Sequence, residues 1–175
     1  LYRMGHDVIC VVGETKYEPS FLLPDVRKTS DPDRILEFCI DLASSCNPPG
    51  LWIHSAAILD YQSEKERGKR KSDTGEWNLT LYPSVKHLGE LSKYTKGSTR
   101  IGFKLEDDSD EEHLIPRAYD LITKYGLDAV VANLISEASG SLPLRCRIVF
   151  SGNEVQEITT LQELCETLES LISDN

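Results

Sequence analysis

Residues 65–72 read KERGKRKS, five cationic side chains in eight positions of a chain whose formal charge is −10. Ammonium and guanidinium groups collected this way neutralise phosphate oxygens, and Gly68 lets such a segment bend. Three readings compete: a nucleic-acid patch, a solvated loop, or a flap that closes over a small polyanion. Three other places hold residue types suited to chemistry. HSAAILDY (54–61) carries Ala56 and Ala57, which let a ligand approach the backbone, and then the carboxylate of Asp60. Gly102-Phe103-Lys104 offers an aromatic face on which a base can stack, and Asn133 offers an amide that both donates and accepts. Each also has a plain structural reading: Asp60 as a turn or helix cap, Phe103 as core, Asn133 as the end of a strand.

Other arrangements are excluded or weak. His6, His54, His87 and His113 are far apart and lack metal-ligand spacing. Gly13-Glu14-Thr15 is neither a phosphate-binding P-loop nor a G-x-G-x-x-G fingerprint. Ser55 lacks the G-x-S-x-G elbow of a hydrolase nucleophile. The acidic run at 106–112 does not have the spacing of a calcium loop, and reads as a solvated helix start where carboxylates favour the dipole.

Short apolar runs alternating with helical patterns must position these residues. HDVICVVG (6–13), LWIHSAA (51–57), TRIGFKL (99–105) and LDAVVAN (127–133) read as buried strands, with a short strand at Asp25–Lys28. Ser30-Asp31-Pro32 starts a helix with Ile35, Phe38, Cys39 and Leu42 at helical spacing. WNLTLY (77–82) alternates as a strand does and precedes a helix over about 84–95. A further helix reaches Tyr125-Gly126, starting near or bending at Pro116. RCRIVF and EVQEIT flank Ser151-Gly152-Asn153 as a hairpin, and Thr160 to Glu163 is a capping box opening a helix striped by Leu161, Leu164, Leu168 and Leu171. The pattern predicts an α/β fold: a mostly parallel sheet flanked by helices, with an antiparallel edge hairpin. In such a sheet ligands bind beyond the carboxyl ends of the strands. Asp60, Phe103 and Asn133 all fall there.

The 175 residues suit one domain, residues 1–175, with 39% hydrophobic and 27% charged side chains. A pI near 4.9 argues against nucleic acid or an anionic membrane surface as partner. Cys10, Cys39, Cys46, Cys146 and Cys165 are odd in number and mostly set in apolar segments, as buried free thiols of a reducing compartment are; the cytoplasm is the expected location. No run approaches the roughly 18 apolar residues that span a bilayer. LYRMGHDV begins inside an element, which suggests that further native residues precede Leu1.

Taken in order, these segments resemble the phosphopantothenate–cysteine ligase family of coenzyme A biosynthesis. HSAAILDY resembles the family's A-A-V-x-D-Y strand end, and KRKSDTGEWNLTLYPSVKHL its K-I-x-S flap with the strand and helix that follow. RIGFKLEDD resembles G-F-K-L-E-T-D, LDAVVANLI resembles the V-V-A-N strand, and the first dozen residues resemble R-G-H-x-V-x-L-V-x-G. The likeness is collinear from Leu1 to the last helix.

The resemblance implies a Rossmann-like α/β domain with a mobile basic flap, a homodimeric ligase that joins 4′-phosphopantothenate to cysteine through an acyl-nucleotide, with CTP or ATP as cosubstrate and Mg²⁺ as cofactor. It implies that Ala56, Ala57 and Asp60 hold phosphopantothenate and that Phe103 and Asn133 bind nucleotide. Lys69 falls on the catalytic flap lysine that reaches the nucleotide; Arg70 replaces the usual isoleucine, so Lys69 and Lys71 can exchange roles. No protein ligand for the metal is implied. Two departures stand out. The family's upstream G-G-T turn and N-x-S-S-G stretch have no counterpart, so the chain is expected to be N-terminally incomplete and inactive as a ligase by itself. The lysines that bacterial relatives carry on the helix after G-F are replaced by Arg117 and Lys124 in shifted positions. These departures motivate an alternative, a non-catalytic relative that binds phosphopantothenate or nucleotide as a regulatory subunit.

Overall fold

The computed structural model describes residues 1–15, 21–64, 68, 75–138 and 144–173. Its centre is a five-stranded sheet in the order β3 (Leu51–His54), β6 (Thr99–Glu106), β7 (Ala129–Leu134), β8 (Cys146–Phe150), β9 (Val155–Ile158). β1 (Ile9–Val12), β2 (Asp25–Lys28), β4 (Tyr61–Ser63) and β5 (Leu81–Pro83) lie outside it. β3, β6 and β7 run parallel, whereas β8 and β9 add antiparallel. The expected α/β sheet with an antiparallel edge is therefore present. β7 is buried along Ala129–Ala132, where it reads as an unbroken apolar run because both of its faces are covered. β6 is buried over Thr99–Gly102 and carries polar side chains at Arg100, Lys104 and Glu106.

One face carries α3 (Glu111–Tyr125), where Leu114, Ala118 and Ile122 pack on Val130 and Ala132. The other carries α5 (Leu161–Ser173), where Leu168 packs among Ile101, Val131 and Ile148. The predicted capping box forms in both directions. Thr160 Oγ1 accepts from the Glu163 N–H at 3.1 Å, and Glu163 Oε2 accepts from the Thr160 N–H at 3.1 Å. Leu161 does not join the buried stripe; at the first turn it points away and is 67% exposed. The hairpin turn also forms, with Asn153 at φ 69, a conformation asparagine tolerates.

α1 (Pro32–Ala43) starts as expected, with the Asp31 carboxylate accepting from the Asp33 N–H and proline at the first helical position. Its Ile35, Leu36, Cys39 and Leu42 pack with Trp52 and Leu91. β1 differs from expectation: it pairs parallel with β2 in a separate two-stranded sheet and stays partly exposed, with only its Val11 packed towards α1.

Four boundaries also differ. β3 stops at His54, so Ser55–Ala57 belong to a loop. Of WNLTLY only the end is strand. β5 pairs antiparallel with β4, and Trp77 and Leu79 precede it outside regular structure, at 53% and 55% exposure. α2 covers only His87–Leu91, because Ser92 and Thr95 hydroxyls bond the Gly89 and Leu91 carbonyls and turn the chain out. α3 starts at Glu111 and runs through Pro116, which forfeits only a bond to the carbonyl of exposed Glu112. No described helix is long and apolar enough to cross a membrane.

Gly102 lets β6 sit under α3. A Cβ there would stand 2.7 Å from Leu127 Cδ1 and 3.4 Å from Leu121 Cδ2. Leu127 is 3% exposed and its methyl can shift only into filled space. Gly102→Ala is therefore expected to lower stability by about 1–2 kcal/mol, read as a fall in the urea midpoint; an unchanged midpoint would show that Leu127 moves freely.

Candidate functional site

Because β3, β6 and β7 are parallel, their carboxyl ends share one rim of the sheet, and the loop after β3 crosses it. His54 pairs with Gly102, so the chain leaves β3 beside Phe103 and Lys104. Ser55, Ala56 and Ala57 follow as exposed backbone without regular structure. Asp60 ends this loop and is fastened twice. Its carbonyl accepts from the Ser84 N–H at 2.8 Å, and its carboxylate is hydrogen-bonded and ion-paired with the Lys86 ammonium. Lys86 holds the Asp60 carboxyl below the usual carboxylate range, with Lys104 adding to the effect, and Asp60 in turn raises Lys86.

The charges continue across the rim. Lys104 Nζ lies 2.7 Å from Glu106 Oε1, Arg117 donates to Glu106 Oε2, and Arg117 Nη1 lies 3.2 Å from Asp110 Oδ2. Cation and anion thus alternate from Lys86 through Asp60, Lys104, Glu106 and Arg117 to Asp110. Arg117 stands by the end of β6, but Lys124 sits in the last turn of α3 over the Tyr125 ring, away from this rim.

Strand alternation divides the other candidates. Phe103 pairs with Val131 and Leu105 with Asn133, so Phe103 and Asn133 are diagonal neighbours on the α5 face. Phe103 also packs against the Ile101 and Ile148 cluster; it is core at its base and still half-exposed. Ile53, 38% exposed, lies on the same face one strand over. Gly102 and Lys104 face α3 instead. The candidate nucleotide residues and the Asp60 cluster therefore lie on opposite faces of one rim.

His54 closes β3 directly beneath the loop. Its ring stacks on Trp52 with centroids 6.1 Å apart and planes 8° from parallel, and its Nε2 is buried without a hydrogen-bond partner. Burial, with the charges of Arg100 and His87, lowers its pKa to about 4. The imidazole is therefore neutral under ordinary conditions. Arg100 fixes the neighbouring elements by donating to the carbonyls of Leu88, Tyr125 and Gly126.

The acidic run is engaged within the protein. Asp107 caps Ser109, Asp108 accepts from Ser136, and Glu106 and Asp110 meet Arg117. Among the described residues no group of three or more His, Cys, Asp or Glu side chains is placed to hold a metal ion. All five cysteines are free. Cys39 and Cys146 are buried, with burial raising both thiols, that of Cys146 to about 11, which suits structural rather than reactive groups; Cys46 is exposed. The basic segment with Lys69, Arg70 and Lys71 lies outside the described residues, apart from Gly68.

Two pairings were missed in the sequence. Lys86 and Asp60 are 26 residues apart, and their only local sign was a cation at the start of a helix, where the macrodipole disfavours it. Glu137, in α4 (Ile135–Ala138), and Arg147 are a buried ion pair hidden behind the Asn133 strand end.

Residues 1–169 match the family described as the DNA/pantothenate metabolism flavoprotein C-terminal domain. The chain belongs to this family. The resemblance drawn from HSAAILDY, RIGFKLEDD and LDAVVANLI is thereby borne out. A curated relative, the coenzyme A biosynthesis bifunctional protein CoaBC of Methanocaldococcus jannaschii, is 34% identical over 131 residues, 75% of this chain. Those residues make up 30% of that relative, so this flavoprotein C-terminal domain corresponds to less than a third of it. The fold matches that of the DNA/pantothenate metabolism flavoprotein from Streptococcus pneumoniae, with a TM-score of 0.82 at 21% identity, covering 99% of this chain and 83% of that one. A mutant of Cab2, H337A, in complex with phosphopantothenate-cysteine has a TM-score of 0.63 at 17% identity, covering 86% of this chain and 54% of that one.

Proposed function

We propose that this domain is the ligase unit that joins 4′-phosphopantothenate to cysteine in coenzyme A biosynthesis. The observation that carries this reading is the rim: a loop bearing Ala56, Ala57 and Asp60 crosses the carboxyl ends of strands whose Phe103 and Asn133 share a face. Membership of the family and the complex of the Cab2 mutant with phosphopantothenate-cysteine support the same substrate chemistry.

In this reading the substrate carboxylate attacks the α-phosphorus of CTP or ATP, the bond to the β-phosphate breaks, and pyrophosphate leaves. The cysteine amine then attacks the acyl carbon, an amide forms, the nucleoside monophosphate leaves, and the amine loses a proton. Ala56 and Ala57 leave room for phosphopantothenate along the loop, and Asp60 hydrogen-bonds its polar groups. Phe103 stacks on the base, and Asn133 donates to and accepts from the nucleotide. Lys69 neutralises charge developing on the phosphates. Mg²⁺ belongs to the reading as a companion of the triphosphate. A cytoplasmic setting and a homodimer belong to it too. The exposed Tyr61, Trp77, Leu79 and Leu81 are apolar surface of the kind that association covers.

The test uses the full-length protein with 4′-phosphopantothenate, cysteine, Mg²⁺ and either CTP or ATP. Pyrophosphate release that requires phosphopantothenate is the expected result. Tight binding of phosphopantothenate with no release from either nucleotide would replace the ligase by a binding or regulatory subunit.

A further inference from the structure

We infer that Lys86 is a positioning residue: it holds the Asp60 carboxylate in its binding orientation and ties the substrate loop to the segment that follows the β4–β5 ribbon. The inference rests on the proposed role of Asp60 in binding phosphopantothenate, and adds a residue to that site.

Residues 55–59 have no regular structure, and most of the loop is exposed. A carboxylate at the end of such a loop samples several rotamers unless something holds it, and ordering it on binding weakens affinity. Two contacts hold it here, both from the same short stretch. The Ser84 N–H fixes the Asp60 backbone carbonyl at 2.8 Å, and the Lys86 ammonium pairs with the carboxylate. Lys86 in turn stands where β5 gives way to α2, whose Leu88 packs against the Leu114 cluster. The loop is thus referenced to the core through residues 84–88. Lys104, the other cation acting on Asp60, is turned towards Glu106 at 2.7 Å. That leaves Lys86 as the direct partner.

The exposure of the pair separates positioning from stability. The side chains of Lys86 and Asp60 are 52% and 72% exposed, and a surface pair of this kind contributes little to folding. Its loss should therefore leave the unfolding midpoint in place while weakening substrate binding.

Calorimetric titration of the full-length protein with 4′-phosphopantothenate tests this. Lys86→Met is expected to weaken binding about fivefold with an unchanged urea midpoint, and Lys86→Arg is expected to restore most of the loss. In activity measurements KM for phosphopantothenate should rise with kcat little changed. The Asp60→Asn protein should bind no more weakly when Lys86→Met is added. Wild-type affinity in Lys86→Met overturns the inference and leaves the ligase reading standing. Additive losses in the double variant also overturn it, because Lys86 would then act on the ligand independently of Asp60. Absence of phosphopantothenate binding by the unaltered protein overturns both.

Discussion

Replacement of Glu137 by alanine is expected to lower the stability of this domain by about 3 kcal/mol, towards the lower end of what breaking a buried ion pair costs. Glu137 and Arg147 are 8% and 7% exposed, and Arg147 Nη1 lies 2.6 Å from both carboxylate oxygens. Glu137 Oε2 also accepts from the buried Leu134 N–H at 2.9 Å. The substitution removes these three hydrogen bonds and the longer ion pair with Arg145 at 3.8 Å, and strands a guanidinium on the α3 face of β8. Glu111 and Glu157, at 3.7 and 3.9 Å from Arg147 and well exposed, soften the loss without replacing it. Urea unfolding measures the effect. The double replacement Glu137→Leu with Arg147→Met is expected to be more stable than Glu137→Ala, because it leaves no charge unpaired. A loss under about 1 kcal/mol in the single variant would mean that the pair behaves as a surface contact. Asn133 precedes Leu134 on the same strand end, so Glu137 also sets the backbone next to a candidate nucleotide residue.

The second large effect is acid sensitivity centred on His54. Its pKa falls from 6.5 to about 4 in the folded protein, so the unfolded chain takes up the proton first as pH drops. The neutral ring thus contributes stability that is fully present above about 6.5 and is lost as pH falls towards 4. At about 1.4 kcal/mol per pH unit, the total is on the order of 3 kcal/mol. His54→Phe keeps a flat ring against Trp52 and sacrifices no hydrogen bond at Nε2, which has none. The difference in unfolding free energy between this variant and the parent should therefore change by about 3 kcal/mol between pH 7 and pH 4. Exposed carboxylates such as Asp60, Asp107 and Glu163 titrate in both proteins and cancel in the comparison. Equal slopes in the two proteins would place the acid sensitivity elsewhere. A protonated imidazole at this position would also stand directly beneath Ser55–Ala57.

Much of this architecture is legible in the chain because it rests on local rules. The runs TRIGFKL and LDAVVAN announce the two central strands, and Asp31-Pro32 and Thr160–Glu163 announce helix starts through bonds spanning two or three residues. The same holds for the motifs HSAAILDY, GFKLE and VVAN, which carried the family correctly. Alternation located the β5 strand but not its start. Trp77 and Leu79 have the period of a strand, but the described ladder between β4 and β5 runs only from Tyr61–Ser63 to Leu81–Pro83, and its continuation opposite Trp77 and Leu79 falls on 65–67, outside the described residues.

By itself the sequence determined the fold class, the family and the rim on which Asp60, Phe103 and Asn133 fall, since each depends on residue order and short-range periodicity. Only the tertiary structure decided that Phe103 and Asn133 share one face while Asp60 and Lys104 lie towards the other. It alone paired Asp60 with Lys86, made Glu137 and Arg147 a buried ion pair, and left His54 neutral. Those outcomes depend on strand register, on the crossing of the β3 loop and on burial. Each joins residues whose distance along the chain carries no information about their distance in space.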